Sequence, residues 1–380
     1  MKLAIITTHP IQYYAPVFRM LASSINVKIF YTKGLVAQQY DQGFQKNITW
    51  DIPLTEGYEH EFLENIAPDK GSHHFKGIIN PNAINQIKIF NPDAILIYGW
   101  ANKSHLNIIR HFKHKIPVYF RGDSTLLDQQ PGFKNIIRCI FLRWIYKHID
   151  VAFYVGSANK AYFKKYGLKE KQLVFAPHAI DNNRFAISRA HEVTILRKKL
   201  NINEEDILIL FAGKLEQKKN PELLLEAFTA LNSNKIHLLF VGNGQLEEGL
   251  KFRVENEKLK NIHFMDFQNQ TQMPVVYQAC DLFCLPSKGP GETWGLAVNE
   301  AMACGKAVLV SDKVGCAADL VTKDIGAIFK SGDLADLSQK LIALTNDKST
   351  LKKMGENSLK HISNWSFEQQ IKAIITYVNR

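Results

Sequence analysis

The feature that most constrains this chain is an alternation. Short, continuously apolar, β-branched runs are separated by longer amphipathic segments. The runs fall at residues 3–8, 27–31, 94–98, 118–120 and 151–155, then at 207–211, 237–241, 282–285 and 307–310. A strand that is apolar on both faces needs cover on both faces, and parallel sheets obtain it from crossover helices. Amphipathic segments at 16–23 and 221–230 supply such helices. The pattern predicts an α/β chain built on doubly wound parallel sheets.

The alternation breaks once. Residues 177–197 carry no strand period and contain Asp181-Asn182-Asn183. A charged helical segment at 192–200 follows, and a new strand opens at Ile207 behind Glu204-Glu205-Asp206. At about 100–200 residues per domain, 380 residues make two. The expected domains are 1–185 and 200–364, followed by a helical segment at 365–380. There Phe367, Ile371, Ile374, Ile375 and Val378 keep helical spacing and need a partner surface.

Composition removes several classes. A hydrophobic content of 46% with 22% charged residues excludes a largely disordered chain. The five cysteines, Cys139, Cys280, Cys284, Cys304 and Cys316, include no Cys-x-x-Cys pair. They read as reduced thiols of a cytoplasmic protein, not as a zinc site or a disulfide framework. The most apolar stretches are far shorter than the roughly 18 residues of a membrane span. The apolar start ends at His9-Pro10, too early for a secretory signal. With 47 Lys+Arg against 36 Asp+Glu, the net charge of +11 suits an anionic partner: nucleic acid, phospholipid or a phosphorylated small molecule. A basic solvated surface explains the same charge.

The strongest local signal is Glu292-Thr-Trp-Gly-Leu-Ala-Val-Asn-Glu300, preceded by Pro286-Ser287-Lys288-Gly289-Pro290-Gly291. A buried strand runs into a Gly/Pro loop and then into a helix starting near Gly295. In open α/β sheets, ligands bind beyond the carboxyl ends of strands. A helix start there offers unpaired N–H groups and partial positive charge to a phosphate. Two acids around a phosphate seat suit a hydroxyl-rich phosphorylated ligand such as a nucleotide sugar, although a capped helix with exposed Glu residues has the same pattern. A second strand-end loop, Gly213-Lys214-Leu215-Glu216-Gln217-Lys218-Lys219-Asn220-Pro221, carries cations that can hold a diphosphate. A third turn, Val241-Gly242-Asn243-Gly244, is a weak Gly-x-Gly.

Along the chain, Gly213-Lys214-Leu215…Lys219-Asn220, Val241-Gly242-Asn243-Gly244, the run Tyr277…Ala279…Asp281…Leu285-Pro286-Ser287 and Glu292-x7-Glu300 follow in that order and resemble glycosyltransferase family 4, the retaining GT-B enzymes. The resemblance covers residues 207–320. It implies a GT-B fold, two Rossmann-like domains with an interdomain cleft, and a C-terminal helix returning to the first domain. The opening Thr8-His9-Pro10-Ile11-Gln12-Tyr13-Tyr14-Ala15-Pro16 is similar to bacterial surface-polysaccharide members but lacks their relatives' common Gly-Gly turn.

Carried over by position, the resemblance implies that Lys214 and Lys219 grip the donor diphosphate, with Lys214 standing where relatives often have Arg. Lysine keeps the charge and loses the bidentate fork. Glu292 would contact the transferred sugar and Glu300 the ribose. Gly213 opens the phosphate loop, and Trp294, Gly295 and Leu296 would meet sugar and phosphate through their N–H groups. Asp266 and Phe267 would lie against the base, which is expected to be that of a UDP-sugar rather than a GDP-sugar. In the first domain Arg121 and Asp123 are catalytic candidates, with Arg121 where many relatives have His; a structural or helix-capping role fits them equally. His9, Gln12 and Trp100 follow strands and are placed on the acceptor side.

Metal and cofactor are expected to be absent. No Asp-x-Asp motif occurs, and His73-His74 reads as a loop without a framing carboxylate or cysteine. The implied acceptor is a glycan or a lipid-linked sugar. Residues 133–148, from Phe133 to His148, combine apolar and aromatic residues with Lys134, Arg138, Arg143 and Lys147. They suit an anionic membrane surface, placing the protein peripherally at the inner face, or a buried helix with snorkelling ends. Two other readings remain open: a nucleotide-sugar epimerase of the same architecture, and a basic nucleic-acid binder. Stacking aromatics are not concentrated with basic residues outside 133–148, so no nucleic-acid partner is expected.

Overall fold

The computed structural model describes residues 1–35, 39–130, 132–231 and 233–379. The chain forms two compact units. The first comprises Met1–Ala37, Ile52–His178 and Phe367–Arg380; the second comprises Gln38–Asp51 and Ala179–Ser366.

In the first unit, β1 (Lys2–Thr7) and β2 (Asn26–Tyr31) pair in parallel. The short β3 (Gln39–Asp41) and β4 (Lys46–Ile48) form an antiparallel hairpin that groups with the second unit, whereas the sequence assigns these residues to the first domain. The first sheet is completed by β5 (Glu59–Phe62), β6 (Ala94–Tyr98), β7 (Val118–Arg121), β8 (Val151–Tyr154) and β9 (Leu173–Phe175). Its order is β5-β2-β1-β6-β7-β8-β9, parallel throughout. The β6 run Ala94–Tyr98 is buried at every position, as strands covered on both faces must be. Ile97, Phe120, Leu142, Ile145 and Phe163 lie in one apolar cluster of this unit.

The second unit repeats the plan. Its strands are β10 (Ile207–Ala212), β11 (Ile236–Val241), β12 (Ile262–Met265), β13 (Leu282–Leu285), β14 (Ala307–Ser311) and β15 (Gly326–Phe329). They are parallel, in the order β12-β11-β10-β13-β14-β15. Phe211, Leu224, Leu238, Cys284 and Leu341 share its core. All five cysteines are free thiols, and burial pushes Cys280 up to about 12.

The last helix, Phe367–Val378, belongs to the first unit and packs against the helix Ala15–Ala22. Phe367, Ile371, Ile374 and Val378 form its buried stripe, and Ile375 is half-buried. Tyr119 donates its hydroxyl to the Tyr377 carbonyl at 3.4 Å. Ile374 is wholly buried, so Ile374→Ala should destabilise the first unit by about 2–5 kcal/mol, the cost of emptying a core site. Lys372→Ala, on the exposed side, should stay within about 0.5 kcal/mol. Urea unfolding of both variants checks this, and equal midpoints would contradict the docking of this helix.

Candidate functional site

In the second sheet the strand order reverses between β10 and β13. Loops leaving two such strands diverge, which opens a crevice at their carboxyl ends. The chain after β10 carries Gly213, Lys214 and Lys219; the chain after β13 carries Ser287 and Glu292. Tertiary folding brings the two loops into contact. The Lys219 ammonium and Glu292 carboxylate form an ion pair in which Glu292 is 8% and Lys219 16% exposed. The Ser287 hydroxyl donates to the same Glu292 oxygen at 2.8 Å. The Gly213 N–H donates to the Val241 carbonyl at 2.9 Å, pinning the phosphate-type loop to the end of β11.

Glu292 is also fixed through its backbone. Gly315 N–H donates to the Glu292 carbonyl at 3.0 Å, and Cys316 N–H to the Trp294 carbonyl at 2.9 Å. The two segments lie so close that a Cβ on Gly315 would stand 1.8 Å from the Thr293 carbonyl oxygen. Gly295 then caps the helix Leu296–Ala303 with φ 94°, a left-handed conformation that a side chain would strain. The helix start thus faces the loop with Leu296 at its first position. Trp294 is buried, its indole N–H donating to the Asn299 side chain at 2.9 Å. Glu300 is buried on the same helix and accepts from the Tyr277 hydroxyl at 2.8 Å.

Lys214 is half-buried and bound to Asp41 at 2.7 Å. Burial works to raise the Asp41 pKa, but the Lys214 ammonium and the N–H groups of Phe44 and Gly43 hold it below the usual carboxylate range. The Phe44 ring lies 5.1 Å from the Lys214 ammonium. It also meets Phe267 edge-on at 4.9 Å, and Trp50 meets Phe267 at 5.9 Å. Asp266 is exposed, accepting from the Asn243 amide at 3.0 Å, while the Phe267 N–H donates to the same Asn243 at 2.9 Å. The hairpin residues Asp41, Phe44 and Trp50 carry no sequence motif; only the fold assigns them to this site.

The first sheet reverses between β1 and β6, and a cavity of about 190 Å³ opens at those strand ends. Thr8, Tyr14, Tyr98, Arg121, Asp123 and His178 line it. Arg121 is 2% exposed and donates to the carbonyls of Ala176 at 2.8 Å and Pro177 at 3.0 Å. Its guanidinium therefore positions the segment ending at His178. His178, which the sequence reading did not single out, lies 4.0 Å from Asp123 and stacks with Tyr14 at 6.4 Å. Burial and the Arg121 charge lower its pKa to about 4 against the pull of Asp123, so the imidazole is neutral at pH 7. The one available signal was a lone His just after Ala176-Pro177, where the chain leaves β9.

The expected acceptor residues divide. His9 is half-buried, its ring hydrogen-bonded to the Thr8 hydroxyl at 2.9 Å, and burial followed by Lys33 lowers it to about 4. Gln12 lies half-buried in the turn before the helix Ala15–Ala22. Trp100, next to Gly99 of the cavity lining, is half-buried, packs against the apolar cluster and meets Phe141 edge-on at 5.7 Å. One correction concerns His73 and His74. Asp69 does frame them, at 3.6 and 3.1 Å, and among the described residues these three bring potential ligand atoms within 4.8 Å. They lie in a loop of the first unit, apart from the cavity lining.

Residues 192–361 match the family model of group 1 glycosyl transferases. A Campylobacter jejuni N,N'-diacetylbacillosaminyl-diphospho-undecaprenol alpha-1,3-N-acetylgalactosaminyltransferase is 27% identical over 70% of this chain and 72% of its own length. The segment 192–361 contains the strand-end loops that carry Lys214, Lys219 and Glu292 and the helix that carries Glu300. A D-inositol 3-phosphate glycosyltransferase of Nocardia farcinica is 24% identical over 55% of this chain and 48% of its own. Anabaena HepE, solved with UDP and glucose, superposes with a TM-score of 0.74 at 17% identity, covering 100% of this chain and 99% of that one. The chain has the GT-B fold, as the motifs at 207–320 imply.

The close approach of Gly315 yields a test of how the Glu292 loop is held. Gly315→Ala should destabilise the second unit by about 1–3 kcal/mol, the scale of overpacking a filled site. Thermal unfolding of the variant measures it; an unchanged midpoint would show that the loop yields without cost.

Proposed function

We propose that the chain is a glycosyltransferase that moves a sugar from a UDP-linked donor to a glycan or lipid-linked acceptor, with retention at the anomeric carbon. The observation that carries the reading is the buried Lys219–Glu292 pair beside the start of the helix Leu296–Ala303. A cation, a carboxylate and a helix N-terminus converge where a diphosphate-linked sugar needs each of them. Two likenesses agree: HepE was solved with UDP and glucose, and the Campylobacter relative is named for a diphospho-undecaprenol acceptor.

In this reading Lys219 exchanges the Glu292 carboxylate for the donor diphosphate, and Lys214 exchanges Asp41. Glu292, released, faces the sugar, while the N–H groups around Trp294, Gly295 and Leu296 complete the seat and Gly213 lets the loop approach the phosphates. Glu300 holds the ribose, and Asp266 and Phe267 border the base. On the first unit, Asp123 and His178, with His9 and Gln12 nearby in the chain, serve the acceptor, and Arg121 holds His178 in place. The acceptor hydroxyl attacks the anomeric carbon on the face from which the diphosphate departs. Its new C–O bond forms as the bond to phosphate breaks, and the departing phosphate oxygen takes the hydroxyl proton. No protein nucleophile is required. The charge of the leaving group falls on Lys214, Lys219 and the helix start.

Two measurements test the assignment. Glu292→Gln should lower turnover by about 10²–10³ while UDP affinity stays nearly unchanged, because its contact strengthens as positive charge develops on the sugar. Glu300→Gln should mainly weaken UDP, since a ribose contact is alike in ground and transition states. The reverse pattern would exchange the two roles.

Turnover should also survive excess EDTA, because lysines and a helix start stabilise the leaving group. Activity lost to EDTA and restored by Mg²⁺ or Mn²⁺ would overturn the metal-free reading.

A further inference from the structure

The helix Phe133–Tyr146 of the first unit is apolar on two opposite sides. Its inner side is ordinary: Leu142, Ile145 and Tyr146 are buried in the unit's core. Its outer side is not. Phe133 is 74%, Ile136 57%, Ile137 56%, Ile140 67% and Phe141 42% exposed. At about 100° per residue these five fall on a single stripe, roughly opposite Leu142 and Tyr146. Trp144 continues the stripe, half-buried and stacked on Phe141 at 5.8 Å. Contiguous exposed apolar side chains of this size mark a surface that something covers.

The charges say what covers it. The same helical geometry places Lys134 and Arg138 along one border of the stripe and Arg143 and Lys147 along the other, all exposed. The helix carries no acidic residue. A cavity of about 400 Å³ adjoins its first turn, with Lys134, Arg138, Gln129 and Asn135 in its wall and Asp128 as the acid there. Apolar side chains between two cationic borders match a lipid surface, whose acyl region takes the stripe while head-group phosphates meet the snorkelling cations. A second copy of the chain fits poorly, since pairing two such faces sets cation against cation. Among the described residues no helix is long and apolar enough to cross a membrane, so contact of this kind is peripheral.

We propose that the outer face of the helix Phe133–Tyr146 seats this protein on an anionic phospholipid surface. The proposal is independent of the donor and acceptor assignments, and its test reads no transfer activity. The full chain is sedimented with vesicles of phosphatidylcholine alone and of phosphatidylcholine with phosphatidylglycerol. Binding is expected to the anionic vesicles, at least about tenfold tighter than to the neutral ones, and to weaken as salt rises. Ile137→Glu with Ile140→Glu should weaken it at least about tenfold. Lys134→Gln with Arg138→Gln should remove most of the preference for the anionic lipid. The substituted side chains are exposed, and an unchanged circular dichroism spectrum identifies folded variants. Equal binding to both vesicle types, or anionic binding that the Ile137/Ile140 variant retains, would overturn the proposal. So would a dimer in size-exclusion chromatography that this variant dissociates, with no vesicle binding by the parent chain.

Discussion

Parallel pairing is the constraint on which the rest of this structure depends. A parallel sheet can grow only through crossovers, so each strand is roofed by helix on both faces and becomes apolar throughout. When growth reverses direction, as between β10 and β13, the two loops at the reversal diverge and leave a crevice at the strand ends. The backbone there cannot be satisfied by the sheet, and helix starts point their free N–H groups toward it. The place for an anionic ligand is thus set by topology before any side chain is chosen. The same logic gives the first unit its cavity between the ends of β1 and β6.

The side chains then tune what the crevice receives. A carboxylate as buried as Glu292 is costly unless paired and hydrogen-bonded, and Lys219 and Ser287 meet both demands. Lys214 and Asp41 repeat the arrangement nearer the surface. Each cation is held in place by an anion, so a diphosphate can replace a carboxylate without the site having to gather charge from solution. The two pairs keep the ligand-free site charge-balanced, which accords with the proposed donor.

Much of the fold was legible because central strands are buried on both faces. The apolar runs of the sequence correspond to β1, β2, β6, β7 and β8 in one sheet and to β10, β11, β13 and β14 in the other. Of the strands in these two sheets, the runs omit β5, β9, β12 and β15, which lie at the four sheet edges. Edge strands are covered less completely: Glu59–Phe62 alternates charged and aromatic residues, and no position of Ile262–Met265 is fully buried. The continuous apolar signature therefore fades where the physical demand for it fades. The candidate site residues stand out in the sequence for a different reason. Lys214, Lys219, Glu292 and Glu300 sit in short motifs whose chemistry is local to one loop or one helix turn.

The sequence by itself determined the two-unit α/β architecture, the strand-end loops that carry charge, and the helices that follow them. These depend on periodicity and on neighbours along the chain. Only the tertiary structure decided which charges meet. Lys219 and Glu292 are joined because β10 and β13 are adjacent, and Asp41 meets Lys214 because a hairpin distant in sequence groups with the second unit. His178 enters the cavity because Arg121 ties its segment to the end of β7. The apolar character of the helix Phe133–Tyr146 is written in its residues. That one side of it stays uncovered could be known only once the chain had packed the other.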